Sequence, residues 1–446
     1  MTGFLGIVLI LGLAYLLSNN RKAINYRTVG MGLLLQTVLA VFILKVPLGK
    51  MMFEKLGQAV TKVLNFSDDG AQFVFGILAD QVAFGNVLAA TAANPEIGPQ
   101  PWNTDSLGNP AFYGGFIFFF KIIPTIIFVA CLVNIFYHLG IIQRVVEVLA
   151  KGMNFFMRVS GAESLSNISS AFVGQVEAQI MIKPYLRGMT MSELMASMTG
   201  SFACIAGGVM ATYILFGVKA EYLIAASIMA APGALAIAKI MHPETEPSET
   251  KGVVRLKVGK EHSNIVDAIS AGCSDGLKVG LNVLAMLVGF LALIALINFL
   301  LLKVGGSMNY IGLTKDVLFG WDPCTLSLNT VLGSLFSVFA WSMGVPWAEA
   351  TQAGALMGTK LVANEFVAYL QLKDIIASEA LSPKTIAIVS FALCGFANFG
   401  SVGIQIGGIS ALEPSRRADL AKLGFRALIA GTLASYLSAT LAGLMF

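Results

Sequence analysis

Long apolar stretches that carry almost no charge run through this chain, and they restrict its fold more than any other feature. The run from Val279 to Leu302, for example, contains no Asp, Glu, Lys or Arg. A helix needs about 20 mostly apolar residues to cross a bilayer. The chain is 56% hydrophobic and 12% charged, whereas soluble domains carry about 25% charged residues. These patterns predict an all-α polytopic membrane protein and exclude a soluble fold.

Eight stretches have the length and apolar character of a membrane-spanning helix. They are 3–18, 30–48, 116–138, 193–217, 221–241, 278–302, 383–411 and 423–445. Lys and Arg cluster at 21–27, 144–158, 183–187, 239–260 and 416–426. Because basic loops stay in the cytoplasm, both termini and the loops within 50–114 and 303–323 are predicted to lie outside.

Two further regions, 160–187 and 325–373, are too interrupted to be simple spans. Each contains two short apolar runs joined by polar residues, and neither run alone covers about 30 Å of hydrocarbon. We interpret both as re-entrant helical hairpins, because irregular backbone at membrane depth must be buried or line a cavity. The first would enter from the cytoplasm and the second from outside, which is the arrangement that an inverted repeat predicts.

Each predicted hairpin carries a carboxylate in an apolar setting. Glu177 lies in VGQVEAQIMI and Glu365 lies in KLVANEFVAYLQL, and a small-residue helix follows each, at 200–213 and 391–401. A carboxylate at membrane depth is costly, so it rarely persists without a polar function or partner. Matching settings in the two halves of the chain predict an internally duplicated transport site.

The chain therefore divides into four predicted parts. Residues 1–115 hold N-terminal scaffold helices, an interfacial amphipathic helix that begins at Lys50, and an external loop. Residues 116–241 form the first repeat with its hairpin. Residues 242–277 form a cytoplasmic loop and a short interfacial helix, and residues 278–446 form the second repeat, whose scaffold helix is 278–302.

Four motifs resemble those of the concentrative nucleoside transporters. They are GQVEAQ (174–179), SFACIAGGVMATY (201–213), VANEFVAY (362–369) and ALCGFANFGSVGIQIGG (392–408), and they stand in the order and spacing of that family. The length and the eight spans resemble its bacterial members. The resemblance implies a multi-pass protein of the bacterial inner membrane that imports nucleosides, driven by a cation gradient. It also implies a homotrimer with a scaffold domain and a mobile, elevator-type transport domain.

By this resemblance, one group of residues surrounds the nucleobase. Gln175 and Glu177 would meet the base edge, since an amide offers both a donor and an acceptor. Phe396 would stack near the base and Val209 would form an apolar wall, although Val209 also suits ordinary packing. Many family members carry Thr or Ser where Val176 stands, so the base preference is left open.

A second group is implied for the ribose. Glu365, beside Asn364, would accept hydrogen bonds from two ribose hydroxyls, and charge-assisted contacts of this kind are strong. Asn398 and Ser401, three residues apart on one predicted helical face, would contact the ribose as well. For Ser401, helix–helix packing is an equally good interpretation. An ion pair of Glu365 with Lys360 or Lys373 is the structural alternative.

The coupling ion stays open between H⁺ and Na⁺, with a lean toward H⁺. Sodium-coupled members bind the ion at positions that match Ser170, Val173, Cys204 and Ile205, but they carry Asn in place of Ser170 and a hydroxyl in place of Cys204. A thiol is a poor ligand for a hard cation. Glu177 or Glu365 would then carry the proton. Gln179 is a further departure, since many members have Pro there.

Two other classes of membrane protein are alternatives to a nucleoside symporter. A channel or a carrier of another small polar solute also fits two hairpins with paired carboxylates. An intramembrane enzyme fits less well, because the three histidines fall at predicted span ends or in the cytoplasmic loop. No G-x-S-x-G sequence is present either. No phosphate-binding loop supports ATP-driven transport, and five scattered cysteines predict neither disulfides nor a zinc site. No cofactor is expected, the partners are the nucleoside and membrane lipid, and no nucleic acid is expected to bind.

Overall fold

The computed structural model of this protein describes residues 2–92, 117–251, 262–310 and 326–446. Within them the regular structure is helical, apart from one isolated bridge between Ser160 and Lys251. The first nine helices are α1 (Thr2–Leu16), α2 (Tyr26–Leu44), α3 (Pro47–Phe75), α4 (Gln81–Ala92), α5 (Phe118–His138), α6 (Ile141–Met157), α7 (Gly161–Ser170), α8 (Glu177–Ile180) and α9 (Met191–Ala203). The others are α10 (Gly207–Leu215), α11 (Ala220–Met241), α12 (Ile265–Tyr310), α13 (Leu328–Ser342), α14 (Trp347–Val362), α15 (Glu365–Ala377), α16 (Pro383–Leu393), α17 (Phe399–Leu412) and α18 (Arg417–Met445).

Six helical segments among the described residues are long and apolar enough to cross a membrane, or seven if the bent pair α13 and α14 counts as one span. They are Tyr26–Leu44, Phe118–His138, Met191–Leu215, Ala220–Met241, Ile265–Ser307 and Pro414–Met445. The predicted helical membrane protein is therefore confirmed. The predicted spans 3–18 and 383–411 correspond to the shorter apolar helices α1, α16 and α17, and the total of eight spans stays a prediction.

Helix α12 differs from the sequence-based expectation, because it is continuous from Ile265 to Tyr310. The expectation was a short interfacial helix followed by a separate span. The small residues behind that expectation instead form a contact surface with α5. A Cβ on Gly272 would lie 2.7 Å from the Cα of Cys131, and a Cβ on Gly276 would lie 2.6 Å from the Cα of Ile127. Glycines four apart share one helical face, so they let the two helices approach closely.

Helix α3 contains the predicted amphipathic segment and extends to Phe75. The proline-rich part of the predicted external loop, and most of the loop within 303–323, lie outside the described residues.

The helices form two compact units. The larger unit takes its described residues from Met1–Gly57, Gly140–Lys260 and Leu287–Phe446, and the smaller unit takes them from Gln58–Leu139 and Glu261–Met286. In the smaller unit, Lys121 and Asp68 form a 2.7 Å ion pair that joins α5 to α3. The candidate site described below lies within the larger unit.

The core of the larger unit is built around α11. In Ala220–Met241, 89% of an apolar stretch of 18 residues is buried, whereas in Ile265–Ser307 only 11% of such a stretch is buried. An apolar helix that is buried all round belongs to a protein core, and α11 packs there against α2, α9 and α18. Several helices of the larger unit are interrupted and then resume. The polar residues of the candidate site lie at these interruptions.

Candidate functional site

Four helices of the larger unit are interrupted. The interruptions are residues 171–176 between α7 and α8, 204–206 between α9 and α10, 363–364 between α14 and α15, and 394–398 between α16 and α17. An interrupted helix exposes backbone N–H and C=O groups that need partners. At membrane depth such backbone is tolerated only when protein buries it or when it lines a cavity.

The interruption before α15 follows a tightly packed pair of helices. Helices α13 and α14 are bent by 117° relative to each other at the break between Ser342 and Trp347. Glycines at their contact allow close approach, since a Cβ on Gly354 would lie 2.7 Å from the carbonyl oxygen of Gly333. This packing fixes the end of α14 and therefore the start of α15.

Glu365 is the first residue of α15 and is buried, with 5% of its surface exposed. Its Oε2 accepts a hydrogen bond from Asn398 Nδ2 at 3.0 Å. Its Oε1 accepts a hydrogen bond from the Tyr213 hydroxyl at 3.3 Å. The structure therefore brings together three residues from three interrupted helices. The Glu365 carboxylate accepts from two neutral donors and lies at the N-terminus of α15, the positive end of that helix dipole.

Asn398 occupies a different position from the one predicted. It is the N-cap of α17 in an extended conformation, so it does not share a helical face with Ser401. Its Oδ1 accepts a hydrogen bond from the Ser401 backbone N–H at 2.8 Å while its Nδ2 serves Glu365. The three-residue spacing therefore reflects capping geometry, in which an N-cap oxygen accepts from the third helical N–H.

The structural alternative for Glu365 is an ion pair with Lys360 or Lys373, and Lys360 is the more deeply buried of the two lysines. Lys360 is 1% exposed, and its Nζ donates a 2.8 Å hydrogen bond to the carbonyl oxygen of Ala392 at the end of α16. Among the described residues no ion pair within 4.0 Å joins Lys360 to Glu365. Lys360 thus neutralises a helix C-terminus, where a cation is favourable.

The interruption at 394–398 contacts the one at 204–206. The backbone N–H of Phe396 donates to the carbonyl oxygen of Cys204 at 3.3 Å. Gly395 has φ +142°, and a Cβ there would lie 2.6 Å from the carbonyl oxygen of Phe202. Glycine is required at this point because of both the backbone conformation and the close approach. Phe396 itself is partly exposed, as is Val209 in the first turn of α10.

The turn 174–177 lies beside the same interruptions. The carbonyl oxygen of Phe172 accepts a 3.3 Å hydrogen bond from Gly207 N–H at the start of α10. Val176 packs on α17, since a Cβ on Gly408 would meet Val176 Cγ2 at 2.7 Å. Gln175 Oε1 is buried without a hydrogen-bond partner among the described residues, whereas Glu177 is exposed. A buried amide oxygen without a partner is costly, so the Gln175 oxygen can accept a hydrogen bond from a further donor.

The four residues implied for a sodium site lie at two of these interruptions, but their side chains do not suit the ion. Ser170 ends α7, and its hydroxyl donates to the carbonyl oxygen of Ser166 at 2.8 Å and lies 3.0 Å from the Ser201 hydroxyl. The Cys204 thiol points at the carbonyl oxygen of Ser227, 3.7 Å away. Val173 and Ile205 offer only backbone. A hydroxyl that is already hydrogen-bonded and a thiol sulfur are poor ligands for a hard cation such as Na⁺.

Sequence reasoning missed two residues of the site. Tyr213 donates to Glu365, and its ring stacks on that of Tyr369 with centroids 4.1 Å apart. The signal was a tyrosine at the end of the small-residue run 201–213, where a hydroxyl in apolar surroundings requires a partner. The second is Gln179 beside the site, which the sequence marks only as a departure from the family and whose amide meets three serine hydroxyls.

Three protein-family models match successive parts of the chain. The model of the Na⁺ dependent nucleoside transporter N-terminus matches residues 5–78, a gate model described as nucleoside recognition matches residues 119–220, and the model of the Na⁺ dependent nucleoside transporter C-terminus matches residues 222–443.

Full-length relatives agree with these models. An uncharacterized transporter of Haemophilus influenzae is 42% identical over 100% of this chain and 97% of its own length. The putative nucleoside permease NupX of Escherichia coli is 38% identical over 99% of this chain and 98% of its own length. These relatives are transporters and permeases, which confirms the transporter class over the enzyme alternative.

Solved structures of a protein named CNTnw are similar over the whole chain. The inward-facing substrate-bound state superimposes with a TM-score of 0.85 at 38% identity, covering 100% of this chain and 97% of that one. A variant of CNTnw in an outward-facing state gives a TM-score of 0.87 with the same identity and coverage.

Proposed function

Because this chain belongs to the family of sodium-dependent, concentrative nucleoside transporters, we propose that it imports nucleosides by symport with a cation. It is a multi-pass membrane protein with several apolar helices, and we place it in the bacterial inner membrane. The family, the buried carboxylate and the interrupted helices together support this function over that of a channel or a carrier of another solute.

The observation that carries the proposal is the arrangement around Glu365. A buried carboxylate held by Asn398, the N-cap of α17, and by Tyr213, in the last turn of α10, is suited to accept hydrogen bonds from two vicinal hydroxyls. We propose that Glu365, Asn398 and Ser401 bind the ribose. Gln175, Val176, Glu177, Val209 and Phe396 would surround the base, and the free oxygen of Gln175 supports this side of the assignment.

We further propose that the two interrupted hairpin regions, 160–187 and 325–373, are re-entrant from opposite sides of the membrane and belong to inverted repeats. The 117° bend between α13 and α14 supports this interpretation for the second hairpin. An elevator-like movement of the part that carries the hairpins, in a homotrimer, is the mechanism we infer. The similarity to both inward-facing and outward-facing structures of CNTnw is compatible with alternating access.

The coupling ion is proposed to be the proton. Support comes from the engaged hydroxyl of Ser170 and from the Cys204 thiol, which together weaken a sodium site. Glu365 is the proposed proton carrier, because it is a buried carboxylate at the proposed substrate site, and carboxylates inside membrane proteins serve as proton relays.

Labelled uridine uptake into proteoliposomes of the purified protein tests the proposal, with either a sodium gradient or a proton gradient imposed. We expect a proton gradient alone to drive accumulation, and we expect Glu365→Gln to abolish it without loss of the folded protein. An Asp275→Asn variant, which removes an exposed carboxylate that pairs with Lys278 in the smaller unit, is the matched control and should transport normally.

The outcomes separate the alternatives. Accumulation that requires sodium would overturn the proton assignment and leave nucleoside symport intact. Normal uptake by Glu365→Gln would contradict the ribose assignment. Absence of uptake of uridine and adenosine under either gradient would contradict the nucleoside function itself.

A further inference from the structure

A closed cluster of buried polar side chains joins α7 and α8 to α9. Gln179 and the serines at 166, 170, 197 and 201 are each no more than 1% exposed. Gln179 Nε2 donates to Ser201 Oγ at 2.9 Å and to Ser166 Oγ at 3.2 Å, and Gln179 Oε1 accepts from Ser197 Oγ at 2.7 Å. We define these five residues as the Gln179 cluster.

The hydrogen atoms of the cluster can be assigned without conflict. Because Ser197 donates to Gln179, the 2.6 Å contact between Ser166 and Ser197 must use the Ser166 hydrogen. Because Ser170 donates to the Ser166 carbonyl oxygen, the 3.0 Å contact between Ser170 and Ser201 must use the Ser201 hydrogen. Every hydroxyl and amide hydrogen then has an acceptor, and a fully satisfied buried network rigidifies the elements that it joins.

The cluster fixes the turn that carries three of the proposed base-binding residues, Gln175, Val176 and Glu177. Gln179 lies two residues after Glu177, and its backbone N–H donates to the carbonyl oxygen of Val176 at 2.9 Å. The N–H of Ala178 donates to the carbonyl oxygen of Gly174 at 3.1 Å. The turn 174–177 is therefore anchored on α9 through the Gln179 side chain, close to where it contacts α10 and α17.

The Gln179 cluster joins the same two segments that a bound sodium ion would join, the end of α7 and the end of α9. Ser170 and Val173 lie at the end of α7 and in the interruption after it, and Cys204 and Ile205 lie in the interruption after α9. An ion bound by these four residues would tie the first interruption to the second. The Gln179 cluster ties the same segments with neutral hydrogen bonds, and it uses the Ser170 hydroxyl to do so.

We propose that Gln179 is a positioning residue for nucleoside binding, whose amide holds the turn 174–177 in place and makes that binding independent of sodium. The inference rests on the proposed function and deepens it. Gln179 touches no substrate in this assignment, and it acts through Gln175 and Glu177. A buried amide that only filled space would be replaceable by an apolar side chain of similar size, whereas this one is required for affinity.

The test compares Gln179→Leu with Gln36→Leu in the full-length protein. Gln36 is also 0% exposed, and its Nε2 donates to Ser438 Oγ at 2.9 Å, joining α2 to α18 away from the proposed site. Both variants remove a buried amide, so a loss of folding stability alone would affect both. Uridine affinity is measured on protein in lipid nanodiscs, in sodium chloride and in choline chloride, with adenosine as the second probe.

Wild-type affinity is expected to be the same in the two salts within about twofold. Gln179→Leu is expected to weaken affinity by about tenfold or more, since several hydrogen bonds that order the turn are lost, and to lower maximal uptake much less. Gln36→Leu is expected to leave affinity unchanged. In a double-mutant cycle, Ser201→Ala should reduce uridine affinity less in the Gln179→Leu background than in wild type. Both substitutions act on the same hydrogen-bond network, so their effects do not add.

Hydrogen exchange of the peptide 171–182 is measured in parallel and does not require a substrate. Exchange should accelerate in Gln179→Leu and stay unchanged in Gln36→Leu. If Gln179→Leu does not fold, Ser201→Ala, which removes one partner only, takes its place with the same expectations.

The inference is overturned if Gln179→Leu binds with wild-type affinity, or if wild-type affinity rises about tenfold or more with sodium. Unchanged exchange in Gln179→Leu also overturns it. If wild type binds neither nucleoside in either salt, the proposed function fails instead, and the exchange measurement still decides whether Gln179 fixes the turn.

Discussion

At the scale of single residues, the chemistry of the site depends on how each buried polar atom is satisfied. Glu365 has both carboxylate oxygens occupied by neutral donors, and Asn398 uses its oxygen for a helix cap and its nitrogen for Glu365. Removing one member of such a pair leaves a buried group without its partner, which costs more than the bond itself contributes. Asn398 therefore couples a local helix start to the geometry of the proposed ribose site.

Asn398→Ala is expected to lose the cap and the contact with Glu365 together. The matched control is Asn25→Ala, because Asn25 caps α2 by accepting from the N–H groups of Arg27 and Thr28. Asn25→Ala should cost about 1 kcal/mol of stability, and Asn398→Ala should cost about 1–3 kcal/mol more, because it also leaves the buried Glu365 without a donor. Only Asn398→Ala should also raise the KM for uridine by about tenfold. Thermal unfolding and initial uptake rates are the measurements, and equal KM values in the two variants would contradict the role of Asn398.

At the scale of elements, glycines decide how closely helices approach. Gly333 and Gly354 place the backbones of α13 and α14 in contact, and a Cβ at 354 would also lie 2.8 Å from the N–H nitrogen of Ser337. Small residues at such contacts are typical of membrane helices, where close backbone packing replaces the hydrophobic effect as the driving force. The position of Glu365 depends on this pair, since only residues 363–364 separate the end of α14 from the start of α15.

Gly354→Ala is expected to separate α13 from α14. Overpacking of this kind costs about 1–3 kcal/mol, so the unfolding temperature should fall and uptake should drop with it. Gly289 in α12 is the control, because a Cβ there would meet nothing within 4 Å. Gly289→Ala should be neutral or stabilising by up to about 1 kcal/mol through helix propensity. A Gly354→Ala variant as stable as the Gly289→Ala variant would show that the contact is looser than described.

At the scale of the whole molecule, one end of the larger unit is held by a charged junction. Lys239 near the end of α11 forms a buried ion pair of 2.7 Å with Glu163 of α7 and contacts Glu244 at 3.4 Å. Ser192 of α9 donates to the carbonyl oxygen of His242, and Arg426 of α18 donates to that of Met241. Four helices are thus fastened together by polar contacts beyond the apolar core.

His242 makes this junction sensitive to pH. Burial lowers the pKa of His242, and the nearby Arg426 and Lys239 lower it further, while Glu244 acts in the opposite direction. An unfolded histidine takes up a proton near about pH 6.5, whereas the folded one stays neutral to lower pH. The stabilising contribution of neutral His242 is therefore fully present above the pKa of the histidine in the unfolded chain. It is lost as the pH falls through the lower pKa that His242 has in the folded protein.

The unfolding temperature of wild type should fall between pH 7 and pH 5 more steeply than that of His242→Gln. Differential scanning fluorimetry of the two proteins in detergent gives the comparison, and the difference between their slopes isolates the histidine from the carboxylates that titrate in both. Parallel curves would contradict the assignment of this pH dependence to His242.

Several residues of the candidate site can be proposed from their residue type and from the apolar segment in which they lie. Glu365 could be singled out because a carboxylate in an apolar stretch needs a polar function, and it is buried among neutral donors. Asn398 is predicted on a helical face shared with Ser401, but it is the N-cap of α17, because spacing alone does not distinguish an N-cap from a helical residue. Val176 was considered as a base-facing position, and its contact with Gly408 depends on a neighbour more than 200 residues away in the sequence.

Sequence alone therefore determined that the protein is a helical membrane protein of the nucleoside transporter class. Hydropathy and motifs carry that information because they are properties of short segments. Only the tertiary structure decided that the interruptions of four helices meet, that Tyr213 reaches Glu365, and that Gln179 closes a network of serines. Those contacts depend on distance between remote segments, and a buried hydrogen bond exists only when packing brings its donor and acceptor within about 3 Å.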